Sequence, residues 1–95
     1  MDKASKVWIT KFAEKQLKKL PSHILAAYHA WVRTVEIEGI RATRKLSGYH
    51  DEPLHGDRKG QRSVRLSRAY RVIYEETESG NLILIGVQEV NRHEY

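Results

Sequence analysis

Residues 82–87, Leu-Ile-Leu-Ile-Gly-Val, are apolar on both faces of an extended chain. A run of that kind reads as a central, buried strand, with neighbours on either side and cover above and below. The residues before it supply the neighbours. Ser63-Val64-Arg65-Leu66-Ser67 alternates strictly, with Val64 and Leu66 on one face and Arg65 on the other. Tyr70-Arg71-Val72-Ile73-Tyr74 follows after a short turn, so the two segments pair as a hairpin. Ser79-Gly80-Asn81 turns the chain back into the apolar run. That run continues through residues 88–90 to 91–95 at the edge of the sheet.

The first forty residues supply the cover. Val7-Trp8-Ile9 is a short strand, and Thr10 caps a helix over residues 11–19. Pro21 ends that helix, and Ser22 is a second cap. Ile24, Ala27, Tyr28, Trp31 and Val35 then recur at helical spacing, which predicts a helix over 23–38 stopped at Gly39. Residues 39–60 hold four of the six glycines and one of the two prolines. They read as a long loop anchored at Leu46 and Leu54. A loop of that length in so short a chain is functional or disordered, and its basic residues favour function. The order β-α-α-β-β-β predicts a single α+β domain over residues 1–95. In it, an N-terminal strand and a helical hairpin pack on one face of a small antiparallel sheet.

Composition narrows the functional classes. The absence of cysteine excludes disulfides and thiolate chemistry and fits a reducing compartment. No apolar run approaches the roughly 20 residues of a membrane helix. The first residues lack the apolar stretch of a signal peptide, so a cytoplasmic location is expected. The net charge of +5 is concentrated: residues 41–71 carry nine Lys/Arg against three Asp/Glu. Residues 72–95 carry one against five. The basic middle third suits phosphates. It equally suits an acidic protein partner. No phosphate-loop, dinucleotide, zinc-protease or serine-hydrolase motif is present, and the five histidines show no metal-ligand spacing. Neither a metal nor a cofactor is expected.

Three segments carry a family resemblance. Residues 51–60, Asp-Glu-Pro-Leu-His-Gly-Asp-Arg-Lys-Gly, lead into Arg62-Ser63-Val64-Arg65-Leu66. Tyr70-Arg71-Val72-Ile73-Tyr74 follows on the next strand, and Val90-Asn91-Arg92-His93-Glu94-Tyr95 ends the chain. Together with the order of elements, these resemble the RelE/ParE superfamily of toxins from type II toxin–antitoxin systems. The resemblance implies a RelE-like fold and a cognate antitoxin partner. For the RelE-like branch it implies ribosome-dependent cleavage of mRNA; for the ParE branch it implies non-catalytic inhibition of DNA gyrase. It places Glu52 at the acid/base carboxylate of YoeB-like members, Arg71 at the strand arginine and His93 at the C-terminal histidine. Arg65 falls on an often-basic strand position, and Tyr95 lies near the catalytic tyrosine of some relatives.

The chemistry agrees with those residue types. Metal-free RNA cleavage needs a base for the 2′-hydroxyl proton, cations for the charge growing on phosphorus, and an acid for the leaving 5′-oxygen. Glu52, Arg65 with Arg71, and His93 fill the three roles. Arginine suits the second because its planar fork grips phosphate oxygens and stays charged. Lys45, Tyr49, His50, His55, Arg58, Lys59, Arg62 and Arg68 are the expected RNA contacts, with Tyr49 able to stack on a base. A plain nucleic-acid-binding module remains the third reading.

Overall fold

The computed structural model describes residues 3–92. The order of elements is β1 (Ala4–Ile9), α1 (Lys11–Leu17), α2 (Ser22–Glu38), α3 (Ile40–Arg44), β2 (Glu52–Pro53), β3 (Gln61–Arg65), β4 (Tyr70–Ser79) and β5 (Leu82–Arg92). Short 3-10 turns cover Ser47–Tyr49 and Gly56–Arg58. The expected α+β layout is present, with two corrections. The five-stranded sheet, ordered β1-β5-β4-β3-β2, is mixed rather than antiparallel, because β1 runs parallel to β5. Residues 39–60 are also not one loop; they hold α3, both 3-10 turns and the edge strand β2.

Local chemistry explains most of the helix ends. Thr10 Oγ1 accepts a hydrogen bond from the Ala13 amide at 3.0 Å, capping α1 as expected. Ser22 caps nothing; Pro21 holds the cap position of α2 without a side-chain hydrogen bond. Gly39 ends α2 at φ 88, a left-handed value that glycine adopts without strain, and the chain turns at once into α3. Ser5, buried on β1, ties that junction down by accepting from the Ile40 amide at 2.9 Å.

Helix α2 buries Ile24, Tyr28, Trp31 and Val35. Opposite them lie Val64, Val72, Tyr74, Ile83, Ile85, Val87 and Val90. Each full burial of this kind stabilises the fold by about 2 kcal/mol. The inward residues of β5 change from odd to even numbers along the strand, and a bulge is the cause. Tyr74 pairs with Val87 but Ile73 pairs with Glu89, so Gln88 is an extra residue and Val90 turns inward again.

Strand β1 reaches only as far as Val87, so residues 88–92 do form a sheet edge. Two helical side chains close the free backbone donors. Glu36 accepts from the Val7 amide at 3.1 Å, and Gln16 accepts from the Val90 amide at 2.7 Å. On the helix-free face Trp8 lies against Gly86, its cross-strand partner, and remains 48% exposed. A Cβ at Gly86 would fall 2.5 Å from the indole.

A polar network holds residues 44–62 onto the sheet. The Asp51 carboxylate is 1% exposed and accepts from Arg62 Nε and from the Tyr74 hydroxyl, both at 2.6 Å. Arg44 donates to the same tyrosine oxygen at 3.1 Å and pairs with Glu76. Burial, then the Asp51 carboxylate, hold the Tyr74 phenol well above its ordinary range, against a smaller pull from Arg44. Burial, with Glu36 nearby, pushes the Tyr28 phenol up to about 12.

Removing the carboxylate leaves the buried Tyr74 hydroxyl and the largely buried Arg62 guanidinium without their acceptor. Asp51→Ala is expected to lower stability by about 3 kcal/mol, read from urea unfolding. The two phenols give a pH signature. Unfolded tyrosine ionises near pH 10, whereas native Tyr28 and Tyr74 stay neutral to higher pH. The stability they contribute is therefore complete below about pH 10 and falls as pH rises through their native values. Their ionisation, followed by absorbance in Tyr28→Phe and Tyr74→Phe variants, should coincide with loss of the near-ultraviolet dichroism. Gly86→Ala forces the Trp8 indole off the sheet and should cost about 1–3 kcal/mol in the same unfolding assay.

Candidate active site

Strand alternation decides which basic side chains meet. Residues directly opposite across an antiparallel pair share a face. Arg62 stands opposite Tyr74, and Val64 opposite Val72, so these four face the helices. Arg65 stands opposite Arg71, and Glu52 opposite Ser63, so these four face the helix-free side. Glu52 is the diagonal neighbour of Arg65, with Cα atoms about 7–8 Å apart by strand geometry.

A cleft of about 80 Å³ opens there, lined by His50, Glu52, Ser63, Arg65, Ser67, Arg68, Tyr70 and Arg71. It is far smaller than the several hundred Å³ that enclose a whole small molecule, and it suits one phosphate-sized group of a longer ligand. Three expected catalytic residues, Glu52, Arg65 and Arg71, are thus brought together. His93 and Tyr95 lie outside the described residues.

Like charges placed directly opposite on a sheet repel. Arg65 and Arg71 are such a pair, and among the described residues neither has an ion-pair partner. The Arg71 Nε is buried without a hydrogen-bond partner among those residues. A buried guanidinium donor left unmatched costs free energy until an anion arrives. The cleft is therefore built for negative charge, and among the described residues Glu52 is the one carboxylate in its lining.

Two segments fix the walls. Ser67 Oγ accepts from the Ala69 and Tyr70 amides at 3.1 and 3.2 Å, which sets the turn carrying Arg68. His50 sits in the left-handed region at φ 45, the one non-glycine described residue with positive φ. That conformation costs on the order of 1 kcal/mol, and histidine is among the residue types that tolerate it best. Its imidazole is exposed at the cleft.

The expected RNA contacts divide. His50 and Arg68 line the cleft. Arg62 points to the helix side, paired with Asp51, because strand parity puts it with Val64. Arg58 reaches across the sheet to Glu89 at 2.5 Å and donates to Gln61 at 3.0 Å. Tyr49 is half-buried against the core and is not part of the cleft lining. Lys45, His55 and Lys59 are exposed outside the cleft lining, and Leu46, expected to anchor the loop, is exposed too. Ser63, Ser67, Tyr70 and Asp51 were missed. The alternation that places Arg62 inward beside Val64 already calls for a buried counter-ion, and that signal leads to Asp51. Among the described residues, no group of three His, Asp or Glu side chains is placed to hold a metal ion, and no helix is long and apolar enough to cross a membrane.

No protein-family model and no curated protein matches the sequence. Solved structures do match. The YoeB/ParE toxin from Agrobacterium tumefaciens superposes with a TM-score of 0.72 at 20% identity, over 94% of this chain and 99% of that one. A chain of the RelBE2 toxin–antitoxin complex from Mycobacterium tuberculosis gives 0.66 at 26% identity, over 93% and 96%. A chain of the archaeal RelE–RelB complex from Pyrococcus horikoshii gives 0.69 at 23% identity, over 94% of each. The shared architecture spans more than nine-tenths of the chain, which thus has the fold of the RelE/ParE superfamily of toxins.

Proposed function

We propose that the protein is the toxin of a toxin–antitoxin pair and a metal-independent endoribonuclease that cuts mRNA on the ribosome. The observation that carries this reading is the convergence of Glu52, Arg65 and Arg71 on one small, anion-seeking cleft. In this reading a backbone phosphate of the message enters the cleft and the two guanidiniums hold its oxygens. Glu52 takes the proton from the 2′-hydroxyl, which attacks phosphorus. The arginines stabilise the doubly charged phosphorane more than the ground state, and that difference is catalysis. The 5′-oxygen leaves with a proton, and the products are a 2′,3′-cyclic phosphate and a 5′-hydroxyl.

The antitoxin is proposed on two grounds. The matched RelBE2 structure is a toxin–antitoxin complex, and the matched archaeal structure is a RelE–RelB complex. Arg65 and Arg71, without an ion-pair partner among the described residues, would also bind carboxylates of an acidic partner segment, which would occupy the place of RNA phosphate and silence the site. The shared fold alone is equally compatible with gyrase inhibition. The Glu52–Arg65–Arg71 set favours the nuclease, because an inhibitor that only binds needs no base beside its anion site.

Arg71→Ala is expected to slow cleavage by about a hundredfold or more. Glu52→Gln should slow it by about 10²–10⁴-fold with little change in stability. Mapping of message ends on translating ribosomes reads both. Intact message together with blocked supercoiling by gyrase would select the non-catalytic reading instead.

A further inference from the structure

Cleavage through the 2′-hydroxyl has two proton transfers, and the cleft arginines can perform neither, since guanidinium does not release its proton. Glu52 accounts for the first. We infer that His50 performs the second, as the general acid that protonates the leaving 5′-oxygen. This rests on the nuclease reading and adds an assignment to it.

Three observations converge on His50. Its imidazole is exposed and lines the cleft beside Glu52 and the two arginines. Among the described residues it has no hydrogen-bond or ion-pair partner, so both ring nitrogens are available to substrate. Its backbone is held from both sides while the side chain stays open. The His50 amide donates to the Ser47 carbonyl at 3.2 Å, and the next residue is the buried Asp51 of the Arg62–Tyr74 network. That anchoring keeps the residue in a left-handed conformation that asparagine or glycine would take more easily. A histidine kept there at the mouth of an anion site is placed for the chemistry of imidazole, which holds and gives up a proton near neutrality.

The step balances. The 2′-O–H bond breaks and its proton passes to the Glu52 carboxylate as the 2′-O–P bond forms. The P–O5′ bond breaks, its electron pair stays on the 5′-oxygen, and the imidazolium of His50 supplies the proton. Glu52 ends protonated and His50 neutral, and exchange with water resets both. His50 and Glu52 are two residues apart, and both line the cleft with the arginines. In this assignment the scissile phosphate sits among the four, with Glu52 at the 2′-oxygen and His50 at the 5′-oxygen.

A substrate with sulfur in place of the bridging 5′-oxygen tests the assignment, because a thiolate leaves without needing a proton. The full chain is assayed on ribosomes carrying message with either the natural or the sulfur-bridged linkage at the cleavage site. His50→Asn, which keeps the backbone conformation, and His50→Gln are compared with wild type, Arg71→Ala and His93→Gln. Unchanged melting temperatures establish that the His50 variants are folded. The expected result is a loss of about 10²–10⁴-fold on the natural linkage for both His50 variants. On the sulfur linkage they should cut within about threefold of wild type. Arg71→Ala should be slow on both, because it acts on the phosphorane. Equal losses on both linkages for the His50 variants would make His50 an RNA-positioning residue and overturn the assignment. So would full activity on the natural linkage, or the rescue pattern appearing in His93→Gln instead. Failure of the wild type on natural message would sink the nuclease reading itself, which is a different outcome.

Discussion

The Asp51 carboxylate is the interaction on which the rest of the site depends. It is buried, it accepts from Arg62 and Tyr74, and Arg44 donates to the same tyrosine oxygen. These partners come from three places in the chain: the end of α3, the edge hairpin and the core strand β4. One anion therefore joins a segment of little regular structure to the most regular part of the molecule. Burying a carboxylate is expensive unless it is matched by donors, and here the matching donors are what order the segment. The residues on either side of Asp51 are His50 and Glu52, both in the cleft lining. The outward-facing chemistry is positioned by an inward-facing charge pair.

The fold also sorts the basic residues. Read as a string, the middle third is simply positive. In three dimensions Arg41 meets Glu78, Arg44 meets Glu76 and Arg58 meets Glu89, all acids from the negative last third. Arg62 is matched by Asp51. Arg65 and Arg71 stand opposite each other on β3 and β4 without such a match among the described residues. The selectivity of the cleft for anions comes from this subtraction more than from the overall charge. Isolated surface pairs contribute little to stability, but each one lowers the positive potential where it forms, and the Arg65–Arg71 pair keeps its own.

Much of the fold was legible in the sequence where a period was strong. Trp31, Tyr28 and Val35 on α2, and the apolar run of β5, announced themselves by spacing. The strict alternation around Val64 put Arg65 on the open face correctly. The parallel pairing of β1 was not legible, because three apolar residues do not state a direction. The bulge at Gln88 was invisible for a related reason: it shifts parity by one residue inside a segment already apolar on both faces. Short α3 and the two 3-10 turns lie below the length at which periodicity speaks. That Glu52, Arg65 and Arg71 come to one cleft was legible from the family motif, and for Arg65 from parity as well. Arg62 was misplaced because charge was weighed there and parity was not. The packing of Tyr49 was not legible because the contact that half-buries it comes from the core, far away in sequence.

The side chains of Glu36 and Gln16, each donating no backbone of its own to the sheet, have a consequence for how copies of the molecule behave together. Leu-Ile-Leu-Ile is a composition that stacks readily into cross-strand fibres when its backbone is reachable. A newcomer approaching β1 finds the Val7 amide already engaged by a carboxylate, and beyond Val87 the Val90 amide already engaged by an amide oxygen. At the far side, β2 offers only two residues, one of them proline. Among the described residues, then, each flank has its run of backbone groups interrupted or cut short, and a strand with the chemistry of an amyloid segment lies behind edges poorly suited to template another.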